Sequence, residues 1–245
     1  MVGLACTKDR VRRAVTVKTH RSKYTTRGDY HWREVSASLW HGWPYTRSRV
    51  QWIVQHCSAS QRVLEVGCGD GVILGQLAAS GKQVVGVDTD ETALRFARQH
   101  FRTQGLHGLF TQTIPPGYFD TIIMAEVIEH LDDARDVLDE LVLHLTPDGR
   151  LLLTTPIKLL EHSPDALHVH EYQPDELTTF LGTYFHHVTL TTMHPVWALD
   201  WLCRRPVRIA ANLLYALTGY EWLDHVTSPL GVYWTQAIVA TGPKR

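Results

Sequence analysis

Cysteine is scarce in this chain: four in 245 residues (Cys6, Cys57, Cys68 and Cys203), scattered and without a C-x-x-C pair. That argues against a disulfide framework or a zinc ribbon and for a reducing, cytoplasmic setting. No uncharged apolar run reaches the roughly 18 residues that a membrane span needs. The N-terminus carries Lys and Arg but no apolar stretch of the secretory type. Net charge is nearly absent, with 24 Lys and Arg against 25 Asp and Glu. Whole-chain charge therefore excludes a strongly basic nucleic-acid binder, though not a local basic patch. Internal repeats and low-complexity segments are missing as well. What remains is an ordinary globular composition, 44% apolar and 20% charged. A chain of this length can bury one large core without help from disulfides or metal.

The charge is unevenly spread. Residues 1–50 hold eleven Lys or Arg and three acids, a local charge of +8. Such an arm can attract an anionic substrate, a nucleic acid or an acidic membrane surface, or can simply be solvated. Residues 1–27 are expected to be irregular and mobile. Residues 28–60 place Trp32, Trp40, Trp43 and Trp52 among polar residues, which suggests short helices packed on a larger body.

From residue 62 short apolar runs alternate with amphipathic stretches. Strands are expected at Arg62–Val66, Gln83–Val87, Leu109–Phe110, Phe119–Met124, Arg150–Thr154, Phe185–Thr192 and Gly231–Ala240. Helices are expected at Gly71–Ser80, Asp90–Thr103, Asp133–Leu145 and Asp175–Tyr184. Pro147-Asp148-Gly149 reads as the turn leading into the fifth strand. This alternation predicts an α/β fold, a doubly wound, seven-stranded, mostly parallel sheet. Residues 194–230 break the rhythm with Trp197, Trp201, Trp222 and the amphipathic stretch Val207–Leu217. The expected organisation is a basic arm and N-terminal helical lid over 1–60 and a core over 61–193. A helical cap insertion over 194–230 and the last strand over 231–245 complete it.

The strongest local signal is Glu65-Val66-Gly67-Cys68-Gly69-Asp70-Gly71, placed where the first strand ends and a helix begins. Glycines there let the backbone turn tightly and let a ligand approach, and the helix N-terminus offers free N–H groups. The spacing is G-x-G-x-G, and position 72 is Val72. The dinucleotide fingerprint wants G-x-G-x-x-G, and no Gly-Lys-Ser/Thr phosphate loop is present. Glu65 would repel a pyrophosphate but suits an ammonium group. Asp88 closes the second strand, placed to take two ribose hydroxyls.

This pattern resembles the class I S-adenosylmethionine-dependent methyltransferases over about residues 61–190, within a Rossmann-like fold. The resemblance implies S-adenosyl-L-methionine as cofactor and S-adenosyl-L-homocysteine as product. It puts Glu65, Gly67, Cys68, Gly69 and Gly71 along the methionine end, Asp88 and Thr89 at the ribose, and Ala125 and Glu126 beside the cofactor. The family often sets an acid or amide after the third strand, near the adenine. Here Thr111 or Gln112 would serve. Asp120 is expected to be structural at the start of its strand.

A hydroxyl acceptor must lose a proton, which makes His130 the candidate base, because histidine titrates near neutral pH. His168 and His170, in a loop with His162 and Glu171, are further candidates. Tyr30 and Arg33 are candidates for the methionine carboxylate or the acceptor. The group most resembled includes ubiquinone-biosynthesis O-methyltransferases and glycan or secondary-metabolite enzymes. A small molecule or glycan is therefore the expected acceptor, and O-methylation the expected reaction. The cap, with Tyr215–Tyr220, would shape an acceptor pocket. The favoured reading assigns no metal and no nucleic-acid partner; it leaves peripheral membrane contact and oligomeric state open. Two rivals remain. One is a metal-dependent RNA 2′-O-methyltransferase, in which Glu126, Glu129 and His130, joined by His168 or His170, would hold Mg²⁺, Mn²⁺ or Co²⁺. The other is a non-catalytic protein that only binds S-adenosylmethionine.

Overall fold

The structure is a computed structural model that describes residues 23–161, 163 and 165–244. Strands β1 (Arg62–Val66), β2 (Gln83–Val87), β3 (Leu109–Thr111), β4 (Phe119–Ala125), β5 (Leu145–Pro156), β6 (Phe185–Pro195) and β7 (Tyr233–Pro243) form one sheet. Its order is β3-β2-β1-β4-β5-β7-β6. The first five strands are parallel, and β7 inserts antiparallel between β5 and β6. The order reverses at β1, which leads into β2 on one side and pairs with β4 on the other. In open α/β sheets that switch point, beyond the carboxyl ends of the strands, is where ligands bind.

Alternation along each strand divides the core in two. Leu64, Val66, Ile122, Met124, Leu151 and Leu153 face helices α6 (Ala134–His144) and α7 (Pro174–Leu181). Val63, Val84, Ile123 and Leu152 face α3 (Pro44–His56), α4 (Val72–Ala79) and α5 (Glu91–Gln104). Local chemistry sets the helix limits. The Asp90 side chain accepts from the Thr92 and Ala93 amides and starts α5, and Gly105 ends it in the left-handed conformation. Asp120 holds the opening of β1, its Oδ2 accepting from the Gln61 and Arg62 amides at 2.6 and 2.8 Å.

Three expectations are corrected. Lys23–Arg27 is a short helix, α1, rather than irregular chain; residues 1–22 lie outside the described residues. Pro147-Asp148-Gly149 lies within the bounds of β5, because that strand already pairs at Leu145. Phe119 pairs with Leu145 and Thr121 with Arg150, so the residues between them loop out of register. The basic stretch is also less basic at the surface than its composition suggests. Arg47 is buried, with its Nε 2.8 Å from Glu221 Oε2 and its Nη2 2.9 Å from Asn212 Oδ1. Arg49 Nη1 lies 3.2 Å from Glu126 Oε2.

Helices α2 (Tyr30–Val35) and α3 precede the sheet, and α8 (Val196–Cys203) and α9 (Arg205–Thr218) precede β7. Ala198, Leu202, Ala211 and Leu223 form a small cluster of their own against Trp43 and Tyr45.

Candidate functional site

A cavity of about 540 Å³ opens at the carboxyl ends of β1, β2 and β4, the switch point of the sheet. Its floor is the glycine loop. Gly67, Gly69 and Gly71 all have positive φ (73°, 54° and 78°), a region L side chains adopt only under strain. A Cβ on Gly67 would strike Val127, and one on Gly69 would strike the Tyr24 hydroxyl. Gly69→Ala is therefore expected to cost about 1–2 kcal/mol of backbone strain and to push Tyr24 off the loop. Thermal unfolding with and without donor checks both effects. Gly71 stands behind the loop, where a Cβ would lie 3.0 Å from Ala97 and 3.4 Å from Phe110, so it sets the packing of α4 on α5 and β3.

Glu65 reaches the cavity from β1 and is 2% exposed. Its Oε2 is buried without a hydrogen-bond partner. Burial pushes its carboxyl well above the usual carboxylate range, and Asp70 and Asp88 add to the shift. Asp88, at the end of β2, accepts from the Gly69 amide at 2.8 Å through Oδ2 and from the Asp90 amide at 2.8 Å through Oδ1. Burial raises its pKa and the two backbone amides oppose the rise. Thr89, Ala125 and Glu126 line the wall, as does the backbone around Cys68, whose thiol turns toward Gly86 in the core. The non-glycine residue Glu126 adopts a positive φ of 56°, and it accepts from the Tyr45 hydroxyl at 3.1 Å.

His130 lies in the short 3-10 turn Ile128–His130 after β4 and lines the same cavity. Its Nδ1 sits 3.1 Å from the Leu167 carbonyl, so Nδ1 carries the hydrogen and Nε2 of the neutral ring is left with its lone pair. Burial lowers its pKa below the ordinary value. Leu167 and Val169, from the loop after β5, complete that end of the wall. The Glu129 carbonyl fastens this loop, accepting from the Val169 and His170 amides at 2.7 and 3.2 Å.

Other expected residues fall elsewhere. Thr111 and Gln112 do not line the cavity; the Thr111 hydroxyl donates to the Thr113 carbonyl at 2.6 Å and the Gln112 amide to the Thr89 carbonyl at 3.3 Å. His168 stands behind His130, ring centroids 4.9 Å apart, with Nδ1 2.6 Å from Glu171 Oε1. His170 points outward to Glu176, 2.7 Å away. His162 lies outside the described residues. Tyr30 lines the cavity, but Arg33 turns to Asp29 at 3.2 Å. The cap does not shape this cavity, since none of residues 194–230 lines it. Helix α9 packs on α3 instead, and α3 stands between the cap and the site.

Sequence reasoning missed several wall residues. Arg49 and Val50 come from α3, and Tyr24 and His31 from the preceding segment. Asp70 binds that segment to the loop: its carboxylate accepts from the His31 amide at 3.1 Å, and its carbonyl accepts from Trp32 Nε1 at 2.8 Å. Only Asp70, inside the glycine motif, had a local signal. Among the described residues Glu129, His130 and His168 each offer a ligand atom within 4.8 Å of the others, a grouping that includes His168 but neither His170 nor Glu126, whose carboxylate meets Arg49 and Tyr45 instead.

Residues 64–153 match the family described as "Methyltransferase domain". The chain is 30% identical over 151 residues to the mitochondrial ubiquinone biosynthesis O-methyltransferase of Schizosaccharomyces pombe, covering 52% of this chain and 55% of that one. It is 32% identical over 115 residues to the ubiquinone biosynthesis O-methyltransferase of Stutzerimonas stutzeri, covering 44% and 50%. Over this stretch, less than half of the chain for the family match and about half for the first relative, the chain resembles methyltransferases. Solved structures share the fold. Haemonchus contortus phosphoethanolamine N-methyltransferase 2 in complex with S-adenosyl-L-methionine has a TM-score of 0.64 at 15% identity, covering 91% of this chain and 59% of that one. Magnesium protoporphyrin IX methyltransferase from Synechocystis PCC 6803 with bound S-adenosylhomocysteine has a TM-score of 0.56 at 17% identity, covering 89% and 96%. The chain spans about half the length of the curated relatives it matches.

The residues present fit S-adenosylmethionine. Glu65 is an unpartnered buried acid, as an ammonium requires, and Asp88 keeps open lone pairs for ribose hydroxyls. Glu65→Gln is expected to weaken donor binding by about 1.5–3 kcal/mol, roughly tenfold to hundredfold. An ammonium needs Glu65 ionised, so affinity should fall as pH drops through its raised pKa. The same shift disfavours the ligand-free fold as pH rises from the unfolded carboxylate range toward that raised value. Ligand-free Glu65→Gln should then melt higher than wild type at neutral pH while binding less donor.

Proposed function

We propose that this protein is an S-adenosylmethionine-dependent methyltransferase that transfers a methyl group to a hydroxyl oxygen of a small-molecule or glycan acceptor, with His130 as general base. The observation that carries this reading is the orientation of His130. Its Nδ1 is committed to the Leu167 carbonyl, so a neutral ring at the cavity wall keeps Nε2 as a proton acceptor. When bound, the donor supplies a methyl group already activated on a sulfonium. The chain's own work is therefore to align two reactants and to remove one proton. Glu65, Asp88 and the glycine loop hold the donor at one end of the cavity. Leu167, Val169 and Tyr30 line the wall with His130 and would receive the acceptor. The ubiquinone-biosynthesis relatives support oxygen as the atom methylated.

The test is incubation of the full chain with donor and a panel of hydroxylated acceptors, following S-adenosylhomocysteine and locating the methyl group by mass spectrometry. O-methylated product supports the reading. Product methylated only on nitrogen or carbon overturns the choice of atom. Donor binding without turnover across the panel supports the non-catalytic reading.

A second reading rests on Glu129, His130 and His168, whose ligand atoms lie within 4.8 Å of one another. A mixed carboxylate and imidazole set suits a divalent ion such as Mg²⁺, Mn²⁺ or Co²⁺. His130 would then be a ligand and not the base. Titration with Mn²⁺ separates the two: stoichiometric uptake lost in His168→Ala supports the metal, and no uptake leaves His130 free for the proton.

A further inference from the structure

Helix α9 is inverted relative to an ordinary surface helix. Arg208, Ala211, Asn212 and Tyr215 face the protein, where Arg47 Nη2 donates to Asn212 Oδ1 at 2.9 Å and stacks on Tyr215 at 4.2 Å. The opposite face, at i, i+4, i+7 and i+11, is Pro206, Ala210, Leu213 and Leu217, all exposed, with Leu217 76% and Leu213 46% accessible. A surface helix normally shows the reverse, apolar inward and polar outward. Beside it α8 exposes Trp201 at 51% and Trp197 at 37%, set edge to face. Contiguous apolar patches of this kind mark interaction sites.

The charge around the patch says which kind. Residues 194–218 contain Arg204, Arg205 and Arg208 and one acid, Asp200. The next acids along the chain, Glu221 and Asp224, turn inward onto Arg47 and Ser48. Arg205 lies over the exposed Trp40 at 5.2 Å and Arg208 over Trp43 at 5.3 Å. Exposed leucines, tryptophans and flanking arginines are the chemistry of a helix that lies in a bilayer interface. We infer that α8 and α9 form a docking surface for an anionic lipid bilayer. The apolar stripe of α9 would enter the acyl boundary, with Trp197 and Trp201 at headgroup depth and the exposed Arg204 and Arg205 on lipid phosphates. No helix among the described residues is long and apolar enough to cross a membrane, so this contact is peripheral. The inward face of α9 is fastened to α3, which also supplies Arg49 and Val50 to the cavity, so the bilayer would lie on the far side of the helix that walls the site.

The test is co-sedimentation of the full chain with phosphatidylglycerol-containing vesicles and with pure phosphatidylcholine vesicles. Wild type should bind the anionic vesicles roughly tenfold or more tightly, and less so at high salt. The double variant Leu213→Glu, Leu217→Glu alters only exposed side chains, so its melting and donor binding should match wild type while vesicle binding falls at least about tenfold. If this variant still pellets like wild type, the basic N-terminal stretch binds the vesicles and the proposal fails. If wild type stays in solution, the proposal also fails. If the variant instead turns a concentration-dependent dimer into a monomer with no vesicle binding by either form, the face belongs to a second copy of the chain.

Discussion

His130→Ala is expected to lower turnover by roughly 10²–10⁴-fold, the usual contribution of a positioned general base, while S-adenosylmethionine binding stays within about twofold of wild type. The separation follows from geometry. His130 sits after β4, whereas Glu65 and Asp88, which would hold the donor, sit at the ends of β1 and β2. Its Nδ1 contact with Leu167 fixes the ring, so the alanine variant loses both the proton acceptor and a loop tether. His130→Gln tells these apart, because an amide can keep the hydrogen bond to Leu167 but cannot take the proton. If His130→Gln turns over like wild type, His130 orders the loop and nothing more. His170→Ala is the matched control. Its ring points outward to Glu176, so turnover should be unchanged. Calorimetry for donor binding and S-adenosylhomocysteine release for turnover give the two readouts.

Asp88→Ala is expected to weaken donor binding by about 3–6 kcal/mol, roughly two to four orders of magnitude, if two charge-assisted bonds to the ribose are lost at about 1.5–3 kcal/mol each. Part of that loss is indirect. Asp88 also accepts from the Gly69 amide and the Asp90 amide, both at 2.8 Å, so it ties the glycine loop to the start of α5. Asp88→Asn keeps one acceptor oxygen and should fall between wild type and alanine. Titration of all three with S-adenosylmethionine and S-adenosylhomocysteine, beside a melting curve of each ligand-free protein, separates ribose contact from loop order. A dissociation constant for Asp88→Ala within about threefold of wild type would remove Asp88 from the donor site.

Much of the architecture was legible in the chain, for physical reasons that can be named. Arg62–Val66 and Gln83–Val87 are short apolar runs bounded by turn residues, and they are strands with those limits. Each lies inside a parallel sheet covered on both faces and so is mainly apolar, with Glu65 the exception that reaches the cavity. Gly67, Gly69 and Gly71 were readable because a tight turn with positive φ favours glycine, and all three have positive φ. Asp88 was readable because a strand end and a fixed distance from the loop place it. These are local rules, in which the meaning of a residue is carried by its near neighbours in sequence.

The remainder depended on contacts between distant segments. Arg49 and Glu126 meet across 77 positions, and Asp70 meets His31 across 39. No periodicity announces such pairs, because only the packing of α3 and the lid onto the switch point brings them together. His168 and His170 look alike in sequence, two residues apart in one loop. The backbone bonds from Glu129 hold that loop so that His168 faces His130 while His170 faces Glu176. The cap likewise read as a wall for the acceptor, because aromatics and leucines at helical spacing do not say which side of α3 they will pack on. By itself the sequence determined the strands, the left-handed glycines and the acid beyond them, because each is set by local backbone chemistry. Tertiary structure alone decided which histidine meets the cavity, which arginine is spent in the interior, and that α9 turns its leucines outward, because those outcomes belong to the packing of whole elements.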